Sequence, residues 1–520
     1  MTEKMMTEKE KSHQENTDVQ KTQPEASDFL KGTWAYEEKY GTAIPEKSRP
    51  AFHLTPWAGW MNDPNGFSYY DGKYHLFYQY NPYATVWDSM HWGHAVTEDL
   101  VHWEYLPAAL APDQSYDSIG CFSGSAETLD DGRQILMYTS VGKVTDENGE
   151  LAERQTQSIA FGDGKTYEKY ENNPVIDASV LPEGSSPVDF RDPKIWKEED
   201  GTFRSVIASR AKDGSGQILL FSSPDALNWK FESILLKNNR RHGLMWECPD
   251  LFKLDGKDVL IMSPQDMYPS QLEYPAGNGT MAVIGSIDPA GQTLHEQNSH
   301  SIDYGIDFYA PQTMLAPDGR RIMVAWMQNW DTIQHRNNKM GWFSQMTFPR
   351  ELSVKNGRLI QNPVSEIEQL RRNKVEYNGV LLDHERVVLD GIEGRIADLE
   401  ITIRPDEKPD SYRKFILRFA EDHRFYTELV FDAQEQTIRV DRQNSGTRRA
   451  YVHQRTMKVN APDGVLKLRI LLDRFSAEVF VNDGEQAMST VIYTDQDKDG
   501  ISFECDGRCL LDVVKYDLSE

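Results

Sequence analysis

A chain of 520 residues, 39% hydrophobic and 11% aromatic, exceeds one ordinary domain and has the material for a large interior. Its formal net charge of −26 repels phosphate backbones and anionic lipid, which argues against nucleic acid and membrane as partners and weighs mildly against a strongly anionic substrate. Cys121, Cys248, Cys505 and Cys509 form no C-x-x-C array and read as reduced thiols of a reducing compartment, with only Cys505 and Cys509 close enough in sequence to invite a bridge.

From Met1 to about Asp28 the chain is charged and polar, without an apolar leader core, and reads as an unfolded or loosely helical tail. No later run approaches the ~20 apolar residues of a membrane span. These features lead to the expectation of a soluble, cytoplasmic protein. The pattern divides into a polar extension over 1–45, a repeat domain over 46–355, a linker over 356–372 and a third region over 373–520.

The repeat domain carries the strongest signal. Five times, a short motif is followed eight residues later by Asp-Gly and then by an apolar run. The motifs start at Asp63, Ser123, Asp192, Glu247 and Ala310; the turns are Asp71-Gly72, Asp131-Gly132, Asp200-Gly201, Asp255-Gly256 and Asp318-Gly319. Asp-Gly between strand-like runs marks a hairpin, because both residues tolerate positive φ. Repeats of this length built from short strands predict the blades of a β-propeller, five in number. A second echo, T-E-D-L-V-H-W ending at Trp103 and S-P-D-A-L-N-W ending at Trp229, predicts an outer hairpin shared by two blades. In a propeller the inner strands converge on one mouth, which would gather three acids, Asp63, Asp192 and Glu247.

Beyond a linker with a helical turn or two at V-S-E-I-E-Q-L, the pattern alternates with period two: L-E-I-T-I-R from Leu399, T-E-L-V-F-D from Thr427, L-K-L-R-I-L from Leu466. Such alternation predicts half-buried strands of a β-sandwich, with A-E-V-F-V-N-D-G-E from Ala477 as one hairpin. The fold class is therefore all-β, a five-bladed β-propeller followed by a C-terminal β-sandwich. The second module reads as a stabilising one that offers a face for a homo-oligomer.

Three clustered carboxylates suit glycosidic cleavage. One protonated carboxyl assists the leaving oxygen, one carboxylate faces the anomeric carbon, and their mutual repulsion separates the two pKa values. A third binds sugar hydroxyls through charge-assisted hydrogen bonds. The alternative is a hard-cation site. Trp60 and Asn62 beside Asp63, Gln79 on the next strand and Trp246 beside Glu247 tilt the reading toward sugar, since cation sites favour carboxylate and carbonyl oxygen over indole.

At this point W-M-N-D-P-N-G (Trp60 to Gly66) resembles the sucrose box of glycoside hydrolase family 32. F-Y-Q-Y-N-P, M-H-W-G-H, F-S-G-S, R-D-P, W-E-C-P-D, D-F-Y-A-P-Q-T and A-W-M-Q-N-W are similar to further blocks in order, from about Phe52 to the C-terminus. The resemblance implies a propeller-plus-sandwich hydrolase of fructosides acting on chain ends, with no cofactor and no metal. It implies Asp63 as nucleophile, Glu247 as acid/base and Asp192 as transition-state stabiliser, with Asn62, Trp60, Gln79, Trp87, Phe122, Ser123, Arg191, Tyr309 and Trp330 around the fructose. His91 and His94 fall within such a block and read as structural, and Cys248 reads as a thiol packed beside Glu247. Trp87-Asp88 departs from the tryptophan-glycine pair frequent there, and the N-terminal extension lies outside the resemblance. Rival readings are fructosyl transfer, a sucrose 6-phosphate substrate and a non-catalytic sugar-binding module.

Overall fold

Each Asp-Gly of the repeat closes a hairpin between the first two strands of one blade. The computed structural model describes residues 25–145, 149–333, 340–408, 410–446 and 452–519. Blade one comprises strands Gly59–Tyr70, Lys73–Asn81, His91–Thr97 and Glu104–Leu110. Blade two has Gly120–Thr128, Gln134–Thr145, Leu151–Gly162 and Tyr167–Lys169; blade three has Phe190–Lys197, Phe203–Arg210, Gly216–Ser223 and Lys230–Lys237. Blade four has Trp246–Leu254, Lys257–Pro264, Met281–Ile287 and Leu294–Ser301, and blade five has Tyr309–Leu315, Arg321–Trp326, Arg350–Lys355 and Arg358–Pro363. In blades one and four the turn residues Asp71, Gly72, Asp255 and Gly256 all have positive φ, the twist that two-residue hairpins require.

The ring closes through a short parallel pairing. Trp342 and Phe343 pair with Gly59 and Trp60 on the inner strand of blade one. The echo at Trp103 and Trp229 is a shared turn. Asp99 Oδ1 accepts from the N–H groups of Val101 and His102, as Asp225 Oδ1 does from Leu227 and Asn228. Leu100 and Ala226 sit at matching φ values of 63° and 61°.

The stretch read as a linker carries the helical turns expected at V-S-E-I-E-Q-L, but its first part is a strand. Residues 358–363 form the last strand of blade five, and a 3₁₀ helix, Ser365–Leu370, leads directly into strand Arg371–Asp383 of the sandwich. Its alternation, L-I-Q-N-P after Arg358, is short enough to pass as a turn-rich spacer. The polar extension also holds more structure than its composition suggests. Helix α1 (Asp28–Gly41) is capped by Ser27 and buries Leu30, Thr33, Glu37 and Gly41, a spacing that lines one helical face. That face lies on blade one, where Trp34 Nε1 donates to Ala108 O at 2.8 Å and Ala108 N donates to Glu37 Oε2 at 3.0 Å. Residues 1–24, most of the expected tail, lie outside the described residues.

In the sandwich one strand, Gly500–Leu518, serves both sheets. Its first half pairs with Tyr412–Glu421 and its second half with Ala397–Pro405, the change falling at Gly507 with φ 113°. Leu399, Ile401, Ile403, Phe415, Leu417, Phe419, Leu468 and Ile470 alternate into its core. All four cysteines are free. The two domains meet through buried charge: Arg350 of blade five is hydrogen-bonded to Asp303, Gln361 and the sandwich residues Glu478 and Ser489, and His53 lies between Asp473 and Glu478 at 2.8 and 2.9 Å.

Candidate active site

Every inner strand breaks its ladder with a bulge at the same end. Two residues face one on the neighbouring strand at Asp192-Pro193, Cys248-Pro249 and Ala310-Pro311, and the register also slips between Met61 and Pro64 and between Phe122 and Gly124. Proline suits these positions because it has no N–H to contribute to a ladder. Asp192, Cys248 and Ala310 share a positive φ of 64°, 50° and 49°, which turns the preceding side chain toward the axis. Glu247 is thus the counterpart of Arg191 and Tyr309, and Cys248 that of Asp192. The equivalence of Glu247 with Asp192 expected from the repeat is off by one residue; counting back from the Asp-Gly turn misses it because blade four uses a shorter turn.

The acids nevertheless share one open cavity of about 620 Å³ at the propeller mouth. Asp63 Oδ2 accepts from Ser123 Oγ at 2.8 Å and Asp63 Oδ1 from Asn62 Nδ2 at 3.1 Å. Asp192 Oδ2 accepts from the backbone N–H of Cys248 at 3.0 Å. Glu247 is held from both sides: Arg191 Nε and Nη2 each donate to Oε1 at 3.1 Å, and Tyr309 Oη donates to Oε2 at 2.7 Å. The Cys248 thiol points at Asp63 Oδ2 and Asp192 Oδ2, 3.5 and 3.8 Å away.

Burial, followed by the charge of Glu247, pushes Asp63 up to about 6, against the donors of Asn62, Ser123 and Cys248. Burial also lifts Asp192, where the pull of Arg191 is outweighed together with the push of Glu247 and Asp63, to about 7. Burial drives the Cys248 thiol well up, aided by the three carboxylates, so it stays a neutral donor. The cavity is therefore a place where carboxyl and carboxylate coexist near neutral pH.

Asn62, Gln79, Trp87, Phe122, Ser123, Arg191 and Trp330 line the cavity with the three acids. Trp87 is 44% exposed at the rim, its ring edge-on to Phe122 at 5.8 Å. Two of the expected pocket residues stand behind the wall instead. Trp60 is only 1% exposed; its indole N–H donates to Asn62 Oδ1 at 2.8 Å and its ring stacks on Phe343. Tyr309 is fully buried and reaches the cavity through Glu247. His94 is buried against Phe77, with His75 Nδ1 3.0 Å from its Nε2, and His91 Nδ1 lies 2.6 Å from Ser89 O. Among the described residues no group of three His, Cys, Asp or Glu side chains is spaced to hold a metal ion.

Glu153, Gln155, Val188, Asp189, Gln265, Asp266 and Asn278 complete the lining and escaped the sequence reading. They stand on the long hairpin of blade two and on the stretches leading into blade three and out of the second strand of blade four, which do not repeat. Only Asp189 had a local signal, an acid two residues before R-D-P; it accepts from Arg191 Nη1 at 3.0 Å.

Comparison with known proteins matches residues 53–363 to the glycosyl hydrolases family 32 N-terminal domain and residues 366–516 to the glycosyl hydrolases family 32 C terminal. A raffinose invertase of Escherichia coli is 37% identical over 461 residues, covering 87% of this chain and 91% of that protein. A sucrose-6-phosphate hydrolase of Zymomonas mobilis is 35% identical over 512 residues, covering 95% and 96%. A variant of the Bombyx mori GH32 β-fructofuranosidase, solved in complex with sucrose, aligns with a TM-score of 0.81 at 33% identity over 95% of this chain and 99% of that one.

Proposed function

The chain belongs to glycoside hydrolase family 32, and from that premise we propose an exo-acting β-fructofuranosidase that removes terminal β-D-fructosyl residues from sucrose and short fructo-oligosaccharides with retention of configuration. The reading rests on one observation above the rest: carboxylates from blades one, three and four open into a single cavity, one of them oriented by both Arg191 and Tyr309.

In this reading Asp63, steadied by Ser123 and Asn62, attacks the anomeric carbon of fructose. Glu247 gives its proton to the departing glycosidic oxygen, so the bond to the leaving sugar breaks as the fructosyl-Asp63 ester forms. Glu247 then takes a proton from water, whose oxygen displaces Asp63 and frees fructose. Asp192 accepts hydrogen bonds from fructose hydroxyls as charge develops on the ring. Behind the acids Pro64, Pro193, Pro249 and Pro311 crowd round a gap of about 10 Å³, a base too narrow for sugar, which favours a chain end over a chain middle.

The charge of the wall favours unphosphorylated sugar. Among the described residues six acids line it, Asp63, Glu153, Asp189, Asp192, Glu247 and Asp266, against one cation, Arg191, already bound to Asp189 and Glu247. Among those residues a phosphate would find no free counter-charge. Four free cysteines fit a reducing compartment, the cytoplasm; no helix of the described residues is long and apolar enough to cross a membrane.

The test is sugar release from sucrose, 1-kestose, inulin, levan and sucrose 6-phosphate, with Asp63→Asn as control. Fructose from the neutral sugars, lost in the variant, is the expected result. Turnover confined to sucrose 6-phosphate would transfer the assignment to that substrate, and longer fructans accumulating at high sucrose would reveal fructosyl transfer. No release from any of them would leave a sugar-binding module.

A further inference from the structure

We propose that the sandwich domain positions the Trp330 side of the pocket: Arg442 of the sandwich holds Asp307 of the propeller, and Asp307 in turn holds Thr332 in the loop that carries Trp330. The proposal rests on the function inferred above and extends it to a residue set outside the cavity wall.

Asp307 stands two residues before Tyr309, and its two oxygens face two domains. Oδ2 accepts from Arg442 Nη1 and from the backbone N–H of Val491 at 2.7 Å, both in the sandwich. Oδ1 accepts from Thr332 Oγ1 at 2.7 Å, with Arg442 Nη2 at 3.4 Å and Gln328 Nε2 at 3.5 Å. Arg442 and Asp307 are both buried, and the other guanidinium bonds go to the carbonyls of Val452 and Val491. A buried ion pair of this kind is weak evidence for stability, because desolvation offsets its attraction, but it fixes geometry.

What it fixes is a turn. Thr332 N donates to Asn329 O at 2.9 Å, and Asp331 N to Asn329 Oδ1 at 3.0 Å, so Trp330 projects from a closed loop. The loop is also latched to the far rim. Asn278 donates to Asp331 Oδ2 from its backbone N–H at 2.6 Å and from Nδ2 at 3.0 Å, and Asn329 Nδ2 donates to Asn278 O at 2.9 Å. Gly277 permits this approach; a Cβ there would lie 2.2 Å from Asp331 Oδ2. Asn278 and Trp330 both line the cavity, so movement of Thr332 shifts two surfaces that meet the sugar.

The experiment compares Thr332→Val, Thr332→Ser and Arg442→Lys with wild type in the full chain. Losing one buried hydrogen bond is worth about a fivefold change in an equilibrium, so Thr332→Val is expected to raise KM for sucrose about fivefold with a smaller change in kcat. Thr332→Ser restores it, and Arg442→Lys, which keeps the charge but loses the fork, reproduces the rise. Unchanged KM in both, with only a lower Tm, would reduce Arg442 to a structural tie and overturn the proposal. A readout independent of turnover is ¹⁹F NMR of 5-fluorotryptophan-labelled protein, with the Trp330 resonance assigned by its loss in Trp330→Phe. A Trp330 resonance that shifts in Thr332→Val supports the linkage even if no fructoside is hydrolysed, and an unmoved resonance defeats it.

Discussion

Cys248 occupies in blade four the strand position that Asp192 occupies in blade three, and its backbone N–H donates to Asp192 Oδ2 at 3.0 Å. The same residue therefore serves one acid through its main chain and another through its side chain, since the thiol lies 3.5 Å from Asp63 Oδ2.

That division makes Cys248→Ala informative. The backbone bond to Asp192 survives, while Asp63 loses a donor that holds its pKa down. The acid limb of the kcat/KM profile on sucrose should move upward, with kcat reduced several-fold. A limb that stays in place would mean the thiol only packs.

Glu247→Gln tests the proton donor. In the proposed mechanism Asp63 must be ionised to attack, so activity falls as pH drops through about 6, the value to which burial above all lifts Asp63. Glutamine keeps the neutral form of the acid without a proton to give, so the acid limb should stay in place. Turnover of sucrose should fall by about 10²–10⁴, the usual worth of a general acid, while a fructoside with a good leaving group loses far less. Equal losses on both substrates would remove Glu247 from the role of acid.

The domain interface carries its own pH dependence. Burial opposes a charged His53, but its bonds to Asp473 and Glu478, and their charges, outweigh this and lift it to about 9. A histidine raised in the folded state contributes stability that is complete below its unfolded value near 6.5 and fades as pH rises toward 9. Tm should decline across pH 6.5–9 in the wild type and much less in His53→Gln, itself less stable at pH 6. Calorimetry that finds parallel declines would rule this out.

Glu37 of helix α1 makes the converse case. Burial raises its pKa to about 8, despite the N–H of Ala108. An acid raised in the folded state costs stability increasingly as pH climbs from its unfolded value near 4.5 toward 8. Glu37→Gln keeps the acceptor for Ala108 and should raise Tm at pH 8 by a few degrees, with little effect at pH 5. A lower Tm at pH 8 would show the ionised form to be the native one.

Turn chemistry made the propeller legible, because Asp71-Gly72 and its four counterparts repeat the same local instruction. The three acids were legible for the same reason. Glu247 fell one residue out of register with Asp192 because blade four closes its hairpin with a shorter turn than blade three, not because a residue type differs. Helix α1 stayed hidden because its buried face includes Thr33, Glu37 and Gly41, which do not read as apolar. Glu153, Gln155 and Asn278 belong to segments without a repeat, and Trp60 looked like a contact residue because a tryptophan beside an acid reads the same whether it touches sugar or braces Asn62.

The two-residue pairing of Trp342 and Phe343 with Gly59 and Trp60 also sets a schedule for synthesis. The innermost strand of blade one, which bears Asp63, has no partner on that side until the chain through Phe343 has left the ribosome. At the ~5–20 residues per second of translation, that edge waits tens of seconds, exposing an unpaired strand beside Trp60 and Met61. The nascent propeller is thus an open arc whose two ends meet only after all three acids of its mouth have been made.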